Sequence, residues 1–294
     1  LKKAETMGQS EHGVRALAGV TPHEWMLACE ARVRAEPAER THRWTLAQAL
    51  CVAGEWQRAL QQLQTLGLLD RTNERLVQLY RDLIRAERWR EKAMAGIETP
   101  AFIRDDVPAW MRGLLDALDH HARGNLEGAD RAREHALDLA PLEPVVADAT
   151  RFDWISDSDT RFGPVCEIIA AGSYRWVAFA DLRSWRIERP SAPIDFVWAP
   201  CVLTLKDGAV LHGFMPARYP LGLEVPHDER DALLTGSRTI WQDVGRTGVI
   251  GAGLKTWTTP AGDFGVFELN ECSFEADACG EPMHAGDAGA EIQA

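Results

Sequence analysis

The run RFDWISDSDTRFGP at 151–164 sets Asp153, Asp157 and Asp159 between Arg151 and Arg161. Carboxylates at alternate positions can share a hard cation or divide acid and base roles between them. The same residues have a plainer use, because Asp and Ser side chains cap turns through nearby backbone amides and two arginines neutralise the acids. Arg218 in PARYP and Arg238 in SRTIW lie near Tyr219 and Trp241. An arginine beside an aromatic suits stacking and bidentate carboxylate pairing as well as ligand capture.

Other groups carry less. Cys272, Cys279 and His284 lack a recurring zinc spacing, and the six cysteines form no CxxC pair. Glycines 248, 251 and 253 miss the GxGxxG order, and no GxxxxGK[ST], HExxH, GxSxG or EF-hand pattern occurs. His120 and His121 are neighbours on a helical stretch and point about 100° apart, which suits a solvated face better than a ligand pair. No catalytic constellation assembles. The chain therefore reads as a non-enzyme that calls for no metal and no organic cofactor.

The elements that would position these residues differ between two halves. The 294 residues are 46 % hydrophobic and 26 % charged, with a formal charge of −12, enough to bury a sizeable core. Residues 1–150 carry a net −3 and residues 151–294 a net −9. The acidic balance argues against a general nucleic-acid or anionic-membrane surface. No eighteen-residue apolar run is present, and no apolar run follows Lys2 and Lys3, so neither membrane insertion nor secretion is expected. Reduced thiols and a cytoplasmic location follow as expectations. The eleven tryptophans against three tyrosines are expected mostly in packing, with a few as interface anchors.

From Trp25 to about Pro141 the hydrophobic spacing is helical. Trp44, Ala47, Leu50 and Cys51 share one stripe; Trp56, Ala59, Leu60 and Leu63 share the next, with Gly54 at the turn. A third helix is predicted over Glu74–Met94, its arginines and glutamates hydrating the outer face. Superposing Gly54 on Gly124 aligns Ala47 with Ala117 and Ala59 with Ala129. Small residues at such places let paired helices approach closely, as in degenerate tetratricopeptide-like (TPR-like) hairpins.

Past Pro144 short Val-, Ile-, Phe- and Trp-rich stretches alternate with Gly, Pro and Asp. Strands are predicted at Val165–Ala170, Tyr174–Phe179, Val197–Leu205, Ala209–Pro216 and Phe264–Glu268, with hairpin turns at 171–173 and 206–208. The start of the segment 181–193 is expected to cross over the edge of the sheet. The fold class is α+β, a helical domain at 1–143 followed by a mainly antiparallel sheet or small barrel at 144–276. A flexible tail is expected at 277–294.

Several of these runs resemble one family. GEWQRAL at 54–60 and LVQLYRDLIRAERWREKAMAG at 76–96 resemble the helical half of ImpE/TagJ (SciE-type) accessory proteins of type VI secretion. FDWISDSDTRFGPVCE at 152–167, DFVWAP at 195–200, ARYP at 217–220 and Arg238-Thr239-Ile240-Trp241 resemble its second half, in the same order. The resemblance implies a cytoplasmic, non-enzymatic adaptor. It would bind the N-terminal helix of the small contractile-sheath subunit, and its further partner would be the ClpV-type AAA+ ATPase. Trp56 and Tyr80 then read as helix packing, and Trp154 and Trp198 as the β core or its junction with the helices. Asp157, Asp159, Arg161, Arg218, Tyr219, Arg238 and Trp241 read as partner contacts or internal pairs. Two alternatives stand beside this: a ligand-binding or enzymatic β domain using Asp157, Asp159, Arg161 and Arg218, and a homo-oligomeric scaffold.

Overall fold

The computed structural model describes residues 20–274 except 148, 221 and 223–226. The expected tail at 277–294, with Cys279 and His284, lies outside the described residues. The chain opens with helix α1, Pro22–Ala35, started by a reciprocal capping box between Thr21 and Glu24. Helix α2, Arg40–Ala53, stops at Gly54, whose φ of 78° is the left-handed conformation that costs glycine least. Helices α3, Trp56–Leu69, and α4, Glu74–Met94, follow, the latter with its predicted bounds. A second hairpin, α5 at Ala109–Ala122 and α6 at Leu126–Leu139, turns at Gly124 with φ 74°. Ala47, Ala59, Ala117 and Ala129 are all buried.

Nine strands build one sheet: β1 Ala101–Phe102, β2 Val145–Ala147, β3 Thr150–Phe152, β5 Val165–Ala170, β6 Ser173–Ala178, β7 Leu182–Ile187, β8 Trp198–Leu205, β9 Val210–Pro216 and β14 Glu271–Ser273. The order is β1-β6-β5-β9-β8-β7-β14-β2-β3, so the sheet is open between edges β1 and β3 rather than closed as a small barrel. It is mixed, because β1, supplied by the helical segment, pairs parallel with β6 while the other pairs are antiparallel. Strands β4 Ser156–Asp157, β12 Thr256–Thr259 and β13 Gly262–Gly265 form a second sheet. Strands β10 Thr239–Val244 and β11 Gly248–Gly253 form a hairpin, and the short helix α7, His227–Leu234, precedes it.

Two sequence expectations are corrected. Residues 181–193 do not cross an edge; β7 lies inside the sheet, between β8 and β14. A register shift between Leu182 and Ser184 breaks the alternation that would have marked it as a strand. The last predicted strand is displaced as well, since β13 ends at Gly265 and the chain then turns.

Packing explains how the segments combine. From one face of the large sheet Val165, Ile169, Tyr174, Trp176 and Trp198 meet Leu46, Leu50, Leu83, Ile84, Met111 and Leu114 of the helices. From the other face Cys166, Ile168, Val177, Trp185 and Leu203 meet Trp257, Val266 and Phe274. The core thus crosses position 143, where helix gives way to strand.

Candidate functional site

The acidic run folds into a buried ionic cluster at the junction of the helices and the sheet. Asp157 Oδ1 accepts from the backbone N–H of Asp159 at 2.9 Å, and Asp159 Oδ1 accepts from that of Arg161 at 3.0 Å. These short-range bonds are the turn chemistry of Asp. Asp159 also receives Arg161 Nε at 2.9 Å and the Gly251 N–H at 2.9 Å. Asp157 receives the Tyr219 hydroxyl at 2.7 Å and an ion pair from Lys255.

Lys255 carries the cluster across the sheet. Its Nζ also lies 2.7 Å from Glu167 Oε2, and it stands over the rings of Phe162, Tyr219 and Trp257 at 4.5, 5.0 and 5.4 Å. Glu167 accepts a bidentate pair from Arg90, Nε at 2.6 Å and Nη2 at 2.9 Å, and a further bond from the Tyr174 hydroxyl at 2.6 Å. The remaining Arg90 nitrogen donates to Glu87 and to the Arg218 carbonyl, each at 3.0 Å. Arg90 had been expected on the hydrated face of α4; it is wholly buried and aimed at the sheet.

Arg218 does not join the aspartates. Its guanidinium donates to the carbonyls of Val52 at 2.7 Å, Cys51 at 3.2 Å and Leu234 at 3.1 Å. Those carbonyls end α2 and α7, where orphan acceptors and the negative end of the helix dipole attract a cation. Burial pulls Arg218 down to about 10, against the opposing influence of Glu87.

Arg90, Arg161 and Lys255 thus pair with Glu87, Glu167, Asp157 and Asp159, and Arg218, bonded to carbonyls, lies near enough to Glu87 to feel its charge. Burying a single ion costs several kcal/mol unless its partners are in place, which is why none of these charges stands alone. Burial resists charge on Glu167, yet Arg90 and Lys255 hold it at about 2. Burial dominates at Asp157 and pushes it up to about 6, with Lys255 pulling the other way. Such a cluster holds two layers in register and leaves no carboxylate open to a ligand.

The aromatic positions surround this junction. Trp198 is buried, donates to Glu87 at 3.0 Å and stacks on half-buried Trp56 at 5.6 Å. Tyr80 meets Trp198 edge-on at 6.2 Å and Trp44 at 4.7 Å. Trp154 is half-buried. Trp241 is 40 % exposed and covers Tyr219 at 5.6 Å, while Arg238 reaches outward to Glu229. Asp153 is exposed and apart from the other two aspartates. Burial pushes the Cys29 thiol up to about 11 and those of Cys51 and Cys201 to about 12, so they stay protonated at neutral pH. Among the described residues no three His, Cys, Asp or Glu side chains are grouped to hold a metal ion, and no helix is long and apolar enough to cross a membrane.

Four cluster residues, Glu87, Arg90, Glu167 and Lys255, are not among the candidate site residues of the sequence, although Glu87 and Arg90 lie in the family-like run at 76–96. Two left a signal: Glu167 interrupts the apolar run VCEIIA, and Lys255 interrupts GVIGAGLKTW. A charge in a continuous apolar strand must be buried and paired. Arg90 left none, since a Glu and an Arg three apart on a helix are equally suited to its surface.

Comparisons with known proteins give a family model, a curated relative and a solved structure of the same fold. The model of the ImpE protein family matches residues 149–273. The chain is 38 % identical over 248 residues to the type VI secretion system accessory component TagJ of Pseudomonas aeruginosa, covering 84 % of this chain and 85 % of that one. A crystal structure of a Vibrio parahaemolyticus protein shares the fold with a TM-score of 0.81 at 21 % identity, over 90 % of this chain and 97 % of that chain. With a relative this similar over most of its length, the chain belongs to the ImpE/TagJ family of type VI secretion accessory proteins.

Proposed function

We propose that this protein is a non-enzymatic adaptor that binds the N-terminal helix of the small contractile-sheath subunit and links the sheath to the ClpV-type ATPase in the cytoplasm. The observation that carries the reading is the state of the acidic run. Its two central carboxylates are spent on Lys255, Arg161, Tyr219 and backbone amides, which leaves the enzymatic alternative without a free acid or base. Likeness to a secretion accessory component supports the same conclusion.

The matched glycine turns and buried alanines of α2–α3 and α5–α6 support the TPR-like reading of the helical domain at 1–143. A β domain at 144–276 would then complete the adaptor. The inner faces of these hairpins are filled by the protein's own sheet, so a partner helix must be received elsewhere. Calorimetric titration with a peptide of the sheath subunit's N-terminal helix should give saturable binding at micromolar affinity or tighter. Loss of binding is expected when the peptide's apolar face is made polar. No heat from peptides covering the whole sheath subunit would end the helix-capture mechanism.

A further inference from the structure

Helix α4 carries a row of cations on its outer side. Arg81, Arg85, Arg88 and Lys92 follow at intervals of four, three and four, which sets them within about 60° of arc along about 16 Å of helix. All four are exposed. Arg85 pairs with Asp82 at 2.7 Å and Lys92 with Glu98 at 3.9 Å, both at the surface, where such pairs hold weakly. Arg81 and Arg88 form no ion pair among the described residues. Exposed arginines of other helices are matched in place, as Arg34 is by Glu30 and Arg131 by Glu127. Beside the row Trp89 is 41 % exposed, its ring held by a bond from Nε1 to the Thr99 carbonyl at 2.9 Å.

We infer that this ridge is the docking surface for the chain's own acidic segment at 275–294, which lies outside the described residues. The inference is independent of the helix-capture reading. Charge complementarity carries it first, since those twenty residues hold Glu275, Asp277, Glu281, Asp287 and Glu291 and no Lys or Arg. Reach carries it next. The Phe274 N–H donates to the Arg183 carbonyl at 2.8 Å, and Asp181, two residues earlier, pairs with Arg104 at 3.5 Å. Six residues, about 20 Å at full stretch, then separate Arg104 from Glu98, the partner of Lys92. The twenty residues of the segment span about 66 Å at full stretch, enough to pass Lys92 and run on to Arg81. A separate polyanion would have to approach a chain of net charge −12, whereas a tethered segment is already present at an effective concentration on the order of millimolar. Met283 within the segment suits the exposed Trp89 ring.

Carbodiimide cross-linking of the full chain, read by mass spectrometry, tests this. The reagent joins an amine to a carboxylate in contact with it, and of the described lysines Lys92 and Lys206 are exposed while Lys255 is buried. Lys92 should link to Glu281, Asp287 or Glu291 about tenfold more than Lys206 does, and high salt should remove that excess. Arg81→Glu combined with Arg88→Glu should remove it as well, while the Lys92–Glu98 link persists and reports that the helix is intact. With isotope-labelled and unlabelled chains mixed, the links should stay within one chain. Lys92 linking to the segment no more than Lys206 does, or an excess that survives the double substitution, would overturn the docking. Links between labelled and unlabelled chains would overturn it too, and give the ridge to a second copy instead.

Discussion

The two faces of the large sheet are held by different physics. On one, Trp185 stacks on Trp257 at 5.1 Å, with Phe179 and Phe274 edge-on or tilted around them at 5.0–5.8 Å. Such rings contribute by area and shape and tolerate small displacements. On the other, Arg90, Glu167, Lys255 and Asp157 meet through directed bonds that fail when a partner moves by an ångström or so. Both faces bury apolar side chains, and on the helix-facing one the directed bonds add a second role, dictating which helix residue meets which strand residue. A buried charge network is a poor source of net stability, and its value here is register.

The sharpest way to break that comparison is to empty each face in turn. Arg90→Ala leaves Glu167 and Glu87 short of their cation and should cost about 4 kcal/mol in urea unfolding. Trp185→Ala should cost a similar ~3–5 kcal/mol through the cavity it opens. A second substitution separates them. Adding Glu167→Gln to Arg90→Met should recover part of the loss, because the stranded charge is gone, while no change of charge should rescue Trp185→Ala. Equal behaviour of the two faces would refute the distinction.

A pH series sharpens it at smaller amplitude. Asp157 has a raised value, about 6 against an ordinary 3.8, so the folded chain takes up this proton before the unfolded chain does. Its contribution therefore makes stability rise as pH falls from about 7 toward 4. Glu167 has a lowered value, about 2 against 4.5, so its contribution is present above about 4.5 and is lost as pH falls toward 2. Urea midpoints should rise between pH 7 and 5 and collapse below pH 4. Asp157→Asn should abolish the rise and keep the collapse.

The smallest effect contrasts two acids on one helix. Asp130 of α6 accepts from the backbone amides of Arg246 and Thr247, at 2.9 and 3.0 Å, and so ties down the β10–β11 turn. Glu134, one helical turn later, pairs with the exposed Arg246 side chain. Asp130→Ala should cost ~2 kcal/mol by stranding two amides. Glu134→Ala should barely move the urea midpoint, as exposed pairs do, and any change should shrink further in salt.

What was legible in the sequence follows the same division. The α4 bounds, the Gly54 and Gly124 turns and strand β5 are set by local pattern and appeared where expected. The hairpin turn at 171–172 is equally local, with Ala171 and Gly172 both at positive φ. Strand β7 was hidden by its bulge, and β10 by a burial pattern that scarcely alternates. The ionic cluster was only half visible. Asp157 and Asp159 announce a turn, but their long-range partner Lys255 lies 98 residues from Asp157, a relation no local pattern encodes.

The span of those bonds bears on how the chain is made. Arg90 waits 77 residues for Glu167, and the end of α2 waits 166 for Arg218. During synthesis the helices emerge first, with the buried-to-be cations Arg90 and Arg133 and several terminal carbonyls still facing water. Their final arrangement is deferred until most of the chain has left the ribosome, because contacts between distant segments form late. A fragment ending near residue 143 should accordingly form helices without settling into a single packed state.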